Sequence, residues 1–145
     1  MYPARLDDKG RLKLPVPFQQ FFSGLPEKRL YVTSLDRRIA RIYPMAVWRE
    51  NEKFFDGFRD NMKASRAIAF IANDLGAESE LDGQGRVLFP PELRRELGIE
   101  NQPVKMHAYR GHVVVMSDAV YAEQKRQAAE AAADSLDLLE QAGLK

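Results

Sequence analysis

The sequence predicts an α+β protein with a mainly β core: two tandem β-α-β-β units forming one pseudo-two-fold barrel, with a helix added at the C-terminus. Three observations predict it. First, the chain repeats itself. Leu-Asp-Asp-Lys-Gly-Arg-Leu-Lys-Leu-Pro at residues 6–15 returns 75 positions later as Leu-Asp-Gly-Gln-Gly-Arg-Val-Leu-Phe-Pro at 81–90, with five of ten positions identical. Second, the segments after each copy run in the same order: a short helix-like run, two strand-like runs, then another helix. Third, two copies in 145 residues are too few for a solenoid, while a chain of this length buries enough surface for one real core. The units divide as residues 1–62, 63–125 and a helical tail at 126–145.

Each element of the first copy has a local reason. Leu6-Asp7 and Arg11 to Leu14 flank Asp8-Lys9-Gly10, a short turn with glycine near its end, which reads as a β-hairpin. Leu12 and Leu14 point one way, Arg11 and Lys13 the other. Pro15 suits the first turn of a helix, and Phe18, Phe21 and Phe22 give that helix an apolar face until Gly24 and Pro26 end it. Leu30 to Thr33 and Ile39 to Tyr43 read as strands around a turn at Asp36-Arg37-Arg38. Pro44 closes the pair, and one helical stripe continues through Trp48, Phe55, Phe58 and Met62. Phe54, Phe55 and Phe58 read as core.

The second copy is entered by a helix with Ala64, Ile68, Ile71 and Leu75 in helical spacing, stopped by Gly76. Its hairpin spans Glu78 to Phe89 and its short helix Pro90 to Leu97, with Gly98 behind it. Strands at Val104 to Tyr109 and His112 to Met116 enclose Arg110-Gly111. Ser117 or Asp118 caps a last, alanine-rich helix that ends near Gln141.

Composition removes several functions. There is no cysteine, so disulfide scaffolds, thiolate metal sites and cysteine nucleophiles are excluded. The longest apolar run, Ala67 to Ala72, is far short of the ~20 residues of a spanning helix, and Met1 to Arg5 lacks signal-peptide character. These point to the cytoplasm, with no membrane partner. His107 and His112 are the only histidines, without metal-ligand spacing, and Asp7-Asp8 has no base or nucleophile to act with. We therefore expect neither an enzyme nor a cofactor, metal or small-molecule substrate.

The paired Asp-x-x-x-Arg motifs, each with glycine before the arginine and proline four residues after it, resemble the MraZ family of bacterial transcriptional regulators. The Val32-Thr33 strand, Tyr43-Pro44 and Trp48 sit where that family's pattern would place them, and the resemblance covers roughly residues 2 to 125. It implies two AbrB-type swapped-hairpin halves fused in one chain. It further implies a ring-shaped homo-oligomer, an octamer as the best guess, associated with the nucleoid. The DNA target it implies is a set of short, directly repeated, G-rich boxes upstream of the division and cell-wall gene cluster. The motif positions carried over are Asp7 and Arg11, then Asp82 and Arg86. Gly83 and Gln84 depart from the usual turn, Arg37-Arg38 fills a turn that more often carries glycine, and the alanine-rich end from about Gln127 has no clear counterpart.

Comparing the copies separates scaffold from function. The residues they share, Asp7, Gly10, Asp82 and Gly85, read as the turn's own framework. The difference between them is charge. Residues 1–14 hold four basic against two acidic side chains (+2), and residues 76–89 hold one against three (−2). The net +1 of the whole chain hides +5 over residues 1–50 and −4 over the rest. Arg11 is the candidate for guanine or close-phosphate contact, Lys9 and Lys13 for phosphates, and Arg5 for the partner strand of the same basic ribbon. For Arg86 a structural or inter-subunit role and a DNA contact both stand. Arg37, Arg38 and Arg41 form a second basic cluster that reads as solvated surface. Two other classes remain: an AbrB- or antitoxin-type dimer reading palindromes, and a ring scaffold that does not bind DNA.

Overall fold

In the computed structural model, which describes Met1 to Lys145, the two copies exchange strands. The first copy supplies β1 (Tyr2–Arg5), β2 (Arg11–Lys13), α1 (Val16–Ser23), β3 (Arg29–Ser34), β4 (Ala40–Pro44) and α2 (Met45–Gly57). After α3 (Met62–Leu75) the second supplies β5 (Ala77–Glu80), β6 (Arg86–Leu88), α4 (Pro91–Leu97), β7 (Pro103–Tyr109) and β8 (His112–Ser117), then α5 (Asp118–Ala142). Six strands form one antiparallel sheet in the order β1-β7-β8-β4-β3-β5, and β2 pairs with β6 as a separate two-stranded ribbon.

That order corrects the hairpin reading. The strand before each turn does not pair with the strand after it. β1 pairs with β7 of the second copy, with Tyr2 opposite Met106, and β5 pairs with β3 of the first, with Arg29 opposite Glu80. The two sides of the first turn are joined by an isolated bridge, Leu6 to Leu12, and by the Asp7 N–H, which donates to Arg11 O at 2.9 Å. The ribbon is likewise made by both copies: Arg11 stands opposite Leu88, Leu12 opposite Val87, and Lys13 opposite Arg86. Leu12 and Val87 are 75 positions apart, the repeat offset, so the pseudo-two-fold axis passes between them.

The exchange builds one core instead of two. Leu12, Leu14 and Phe18 of the first copy and Val87, Phe89 and Leu93 of the second fall into a single buried cluster with Ile42, Val104 and Met106 of the sheet. Removing such side chains from water is worth roughly 1.5–3 kcal/mol each. Alternation along β2 and β6 agrees with the expectation: Leu12 and Val87 are buried while Lys13 and Leu88 face solvent. A smaller cluster of Tyr43, Met45, Trp48 and Ala72 seals the outer sheet face beneath α2 and α3, with Tyr31 stacked on Trp48 at 4.5 Å.

Three local readings are corrected. The stripe through Trp48, Phe55, Phe58 and Met62 is not one helix. The chain breaks after Gly57 and restarts at Met62, because Asn61 caps α3 by accepting the Ala64 N–H at 3.0 Å. Phe54 is 59% exposed, so only Phe55 of the three phenylalanines packs on the Trp48 cluster among its partly buried neighbours. Pro15 lies just before α1, whose proline within the first turn is Pro17. On α3 the buried residues are Ser65, Ala72 and Leu75; Ile68 and Ile71 are half-buried and Ala64 is exposed. Ser117 caps α5 by accepting from Val120 N, and α5 runs unbroken past position 126. No helix is long and apolar enough to cross a membrane.

Candidate nucleic-acid interface

The two turns are superposable in their chemistry. In the first, Asp7 Oδ1 accepts from the Lys9 and Arg11 backbone N–H groups at 3.0 and 2.9 Å, and Oδ2 accepts from Arg11 Nε at 2.8 Å. In the second, Asp82 Oδ1 accepts from Gln84 N and Arg86 N, both at 2.9 Å, and Oδ2 accepts from Arg86 Nε at 2.8 Å. The aspartate therefore does two jobs. It satisfies the backbone donors of the turn, and it fixes the direction of the arginine. The N–H of Arg11 depresses the Asp7 pKa, and that of Arg86 holds Asp82 down at about 2, with each guanidinium adding to the effect.

Glycine closes each turn at positive φ, +84° at Gly10 and +76° at Gly85. Space matters as much as φ. A Cβ on Gly10 would overlap the guanidinium of Arg94, and a Cβ on Gly85 would overlap the Gln19 amide. Gln19 and Arg94 are themselves 75 positions apart. Each bonds the carbonyl at the end of its own copy's ribbon strand, Gln19 Nε2 to Leu14 O at 2.7 Å and Arg94 Nη1 to Phe89 O at 2.6 Å. Each thus reaches from its own helix over the other copy's turn. Backbone bonds lock the same junction, Leu14 N to Gly85 O at 3.0 Å and Phe89 N to Gly10 O at 2.9 Å. The sequence reading missed this pair, although the repeat offset aligned them.

The outer face of β2–β6 brings Arg11, Lys13 and Arg86 together, with Leu88 beside them. Lys9 lies in the first turn, and Lys13 Nζ reaches the Gln84 carbonyl of the second. The turns stand at opposite ends of the ribbon, four residues of rise or about 13 Å apart. Arg5 is placed differently from expectation. It sits on β1 against β7, and its Nη1 donates to Asn101 O at 2.8 Å. It lines a shallow groove with Lys13 but belongs to another sheet. The acidic charge of the second copy is also placed elsewhere: Glu78 and Glu80 lie on the edge strand β5, where Glu78 meets Arg29.

Two members of the second basic cluster are paired with acids of the same chain. Arg37, at φ +64°, donates through Nε to Glu96 at 2.6 Å, and Arg38 pairs with Glu123. Arg41 lies on the central strand β4, its Nε buried without a partner. His107 and His112 lie on β7 and β8, and burial lowers the pKa of both. No group of three potential metal-ligating side chains gathers anywhere.

The chain is similar in sequence to several transcriptional regulators. The chain is 34% identical over 106 residues to the transcriptional regulator MraZ of Koribacter versatilis, covering 72% of each chain. It is 33% identical over 103 residues to that of Acidobacterium capsulatum, covering 71% of this chain and 70% of the relative. With the transcriptional regulator MraZ of Desulfitobacterium hafniense the identity is 29% over 143 residues, 99% and 96% of the two chains. That alignment takes in the alanine-rich end, which therefore has a counterpart in a relative. No protein-family profile matches the chain.

Proposed function

The chain belongs to the MraZ family of transcriptional regulators, and on that premise we propose that it binds double-stranded DNA through the composite β2–β6 ribbon. The carrying observation is the union of Arg11, Lys13 and Arg86, from both copies, on one solvent-facing surface. A two-stranded ribbon fits a major groove about 12 Å wide. Asp7 occupies Arg11 Nε, which leaves the Nη1–Nη2 edge to bond guanine O6 and N7 in one plane; Lys9 and Lys13 meet phosphates. Arg86, held in the same way by Asp82, contacts DNA from the other end of the ribbon.

One ribbon grips weakly. Lys9, Arg11, Lys13 and Arg86 are offset by Asp7, Asp8 and Asp82. Binding strength therefore comes from several ribbons on one assembly, through effective concentration. A ring of identical subunits, an octamer in our reading, presents its ribbons in one rotational sense and suits direct repeats, where a two-fold dimer would select palindromes. We propose short G-rich direct repeats upstream of the division and cell-wall genes as the target, and the cytoplasm and nucleoid as the place of action.

The test is binding of the purified protein to its own upstream region and to a scrambled version across a salt series. We expect preference for the repeated boxes and log K falling by about 0.9 per phosphate neutralised. Equal affinity for both duplexes would overturn the reading.

A further inference from the structure

The two halves can be compared at the helix that follows each ribbon strand. α1 packs beside the β7–β8 turn, and α4 beside the β3–β4 turn. Phe21 on α1 and Glu96 on α4 are 75 positions apart, so the repeat offset makes them one position. Each adjoining turn carries an arginine at positive φ, Arg37 at +64° and Arg110 at +46°. Glycine or asparagine fits such a backbone better. In the second half Arg37 Nε donates to Glu96 at 2.6 Å, and the pairing raises the pKa of the arginine and lowers that of the acid.

In the first half a phenyl ring stands where that acid would be. Arg110 lies over Tyr109 instead, its guanidinium carbon 5.4 Å from the ring centroid. Between α1 and the turn runs a groove of about 430 Å³. Phe18, Phe22 and Val113 line it and are buried, while Phe21, Tyr109 and Arg110 line it and are exposed. No carboxylate lines it. Such a volume, with a largely apolar lining and one charged group, has the form of a small-molecule site.

We infer that this groove binds a small amphiphilic carboxylate. The apolar body lies against Phe18, Phe21, Phe22 and Val113. The carboxylate accepts from the guanidinium of Arg110 and does for it what Glu96 does for Arg37. Arginine's planar fork matches a carboxylate, and one arginine balances one negative charge. The comparison of the halves selects the charge of the occupant, and the lining selects its body. The buried part of the lining is set back from the surface, where a narrow chain reaches it and a flat protein face does not. The inference goes beyond the DNA reading and stands or falls without it.

The test titrates the full chain with decanoate, below its micelle concentration, by calorimetry. We expect one saturable site per chain. Decanol and decyltrimethylammonium keep the body but lose or reverse the charge, and should bind about tenfold or more weakly. Methyl resonances of Val113 should move with decanoate and locate it. Arg110→Gln should weaken decanoate about tenfold or more and leave decanol unchanged. Phe21→Glu gives α1 the acid that α4 already has; it should pair with Arg110 and abolish decanoate binding. Both positions are exposed, and far-UV circular dichroism checks that each variant stays folded. A parent without saturable binding would overturn the inference. So would equal affinity for decanoate and decanol, undiminished binding by Arg110→Gln, or a Val113 signal that stays still. A parent that ignores decanoate while Phe21→Glu breaks up its assembly in sedimentation would also overturn it, and would make the groove a contact between copies.

Discussion

Lys13 and Arg86 face each other directly across the β2–β6 ladder, one from each copy. Opposed side chains in such a ladder have Cβ atoms roughly 4.5–5.5 Å apart, and like charges there repel. Arg86 is partly neutralised by Asp82, while Lys13 has only the Gln84 carbonyl. A phosphate between them would relieve the repulsion. Lys13→Ala should therefore change the stability of the free protein by no more than about 0.5 kcal/mol. It should weaken binding to all DNA sequences alike and flatten the salt slope by about one. Titrations at several salt concentrations beside urea unfolding read both; an unchanged slope removes Lys13 from the interface.

Gly10 and Arg94 make the turn of one copy depend on the helix of the other. Gly10→Ala meets two obstacles: a positive φ costing about 1–2 kcal/mol for a residue with a Cβ, and overlap with the Arg94 guanidinium. Arg94→Ala removes only the second. Urea unfolding of the two single variants and the double variant should show Gly10→Ala costing measurably less once Arg94 is gone. Strict additivity would mean that Arg94 simply swings aside. The symmetric cycle at Gly85 and Gln19 should behave the same way.

Asp82 is held down to about 2 by the Arg86 N–H and side chain and by the Gln84 N–H. A folded pKa below the ordinary carboxylate value near 3.9 means that the unfolded chain binds the proton more readily. The stability it contributes is complete above that ordinary value and is lost as pH falls toward 2. Acid unfolding tracked from pH 5 to 2 should steepen through this window in the parent and less so in Asp82→Asn. Carboxyl resonances of the folded protein should show Asp82 still ionised at pH 3. A midpoint near 4 would mean that the paired geometry does not persist in solution.

The turns were legible in the sequence because their chemistry is local: aspartate, glycine and arginine within five residues specify the whole bond set. The strand partners were not. Alternation along Tyr2 to Arg5 or Ala77 to Glu80 is the same whether the neighbour is the strand after its own turn, β2 or β6, or the other copy's third strand, so pattern alone leaves the exchange undecided. The resemblance to swapped-hairpin proteins supplied that part. The break between α2 and α3 carried a signal, Asn61 three residues before Ala64, that the apolar stripe through Met62 outweighed. Gln19 and Arg94 were hidden for another reason. They differ in charge, and only the offset of 75 together with the shared use of an N–H donor shows that they are one position used twice.

Charge and geometry can be separated at Arg11. Its Nε is committed to Asp7, so the side chain offers outward a planar pair of donors held at a fixed angle. Lysine at this position keeps the charge but has neither the fork nor the second hydrogen bond that fixes it. If Arg11 reads a base, Arg11→Lys should keep most of the salt dependence and nonspecific affinity while losing about 1–3 kcal/mol of preference for the repeated boxes. Arg11→Ala should lose both. The equivalent change at Arg86 gives an internal control, since its bond set is the same and its strand carries fewer cations. Competition between repeat-containing and scrambled duplexes at fixed salt measures the preference directly. Retained preference in Arg11→Lys would reassign Arg11 to the phosphate backbone and leave base reading to another residue of the ribbon.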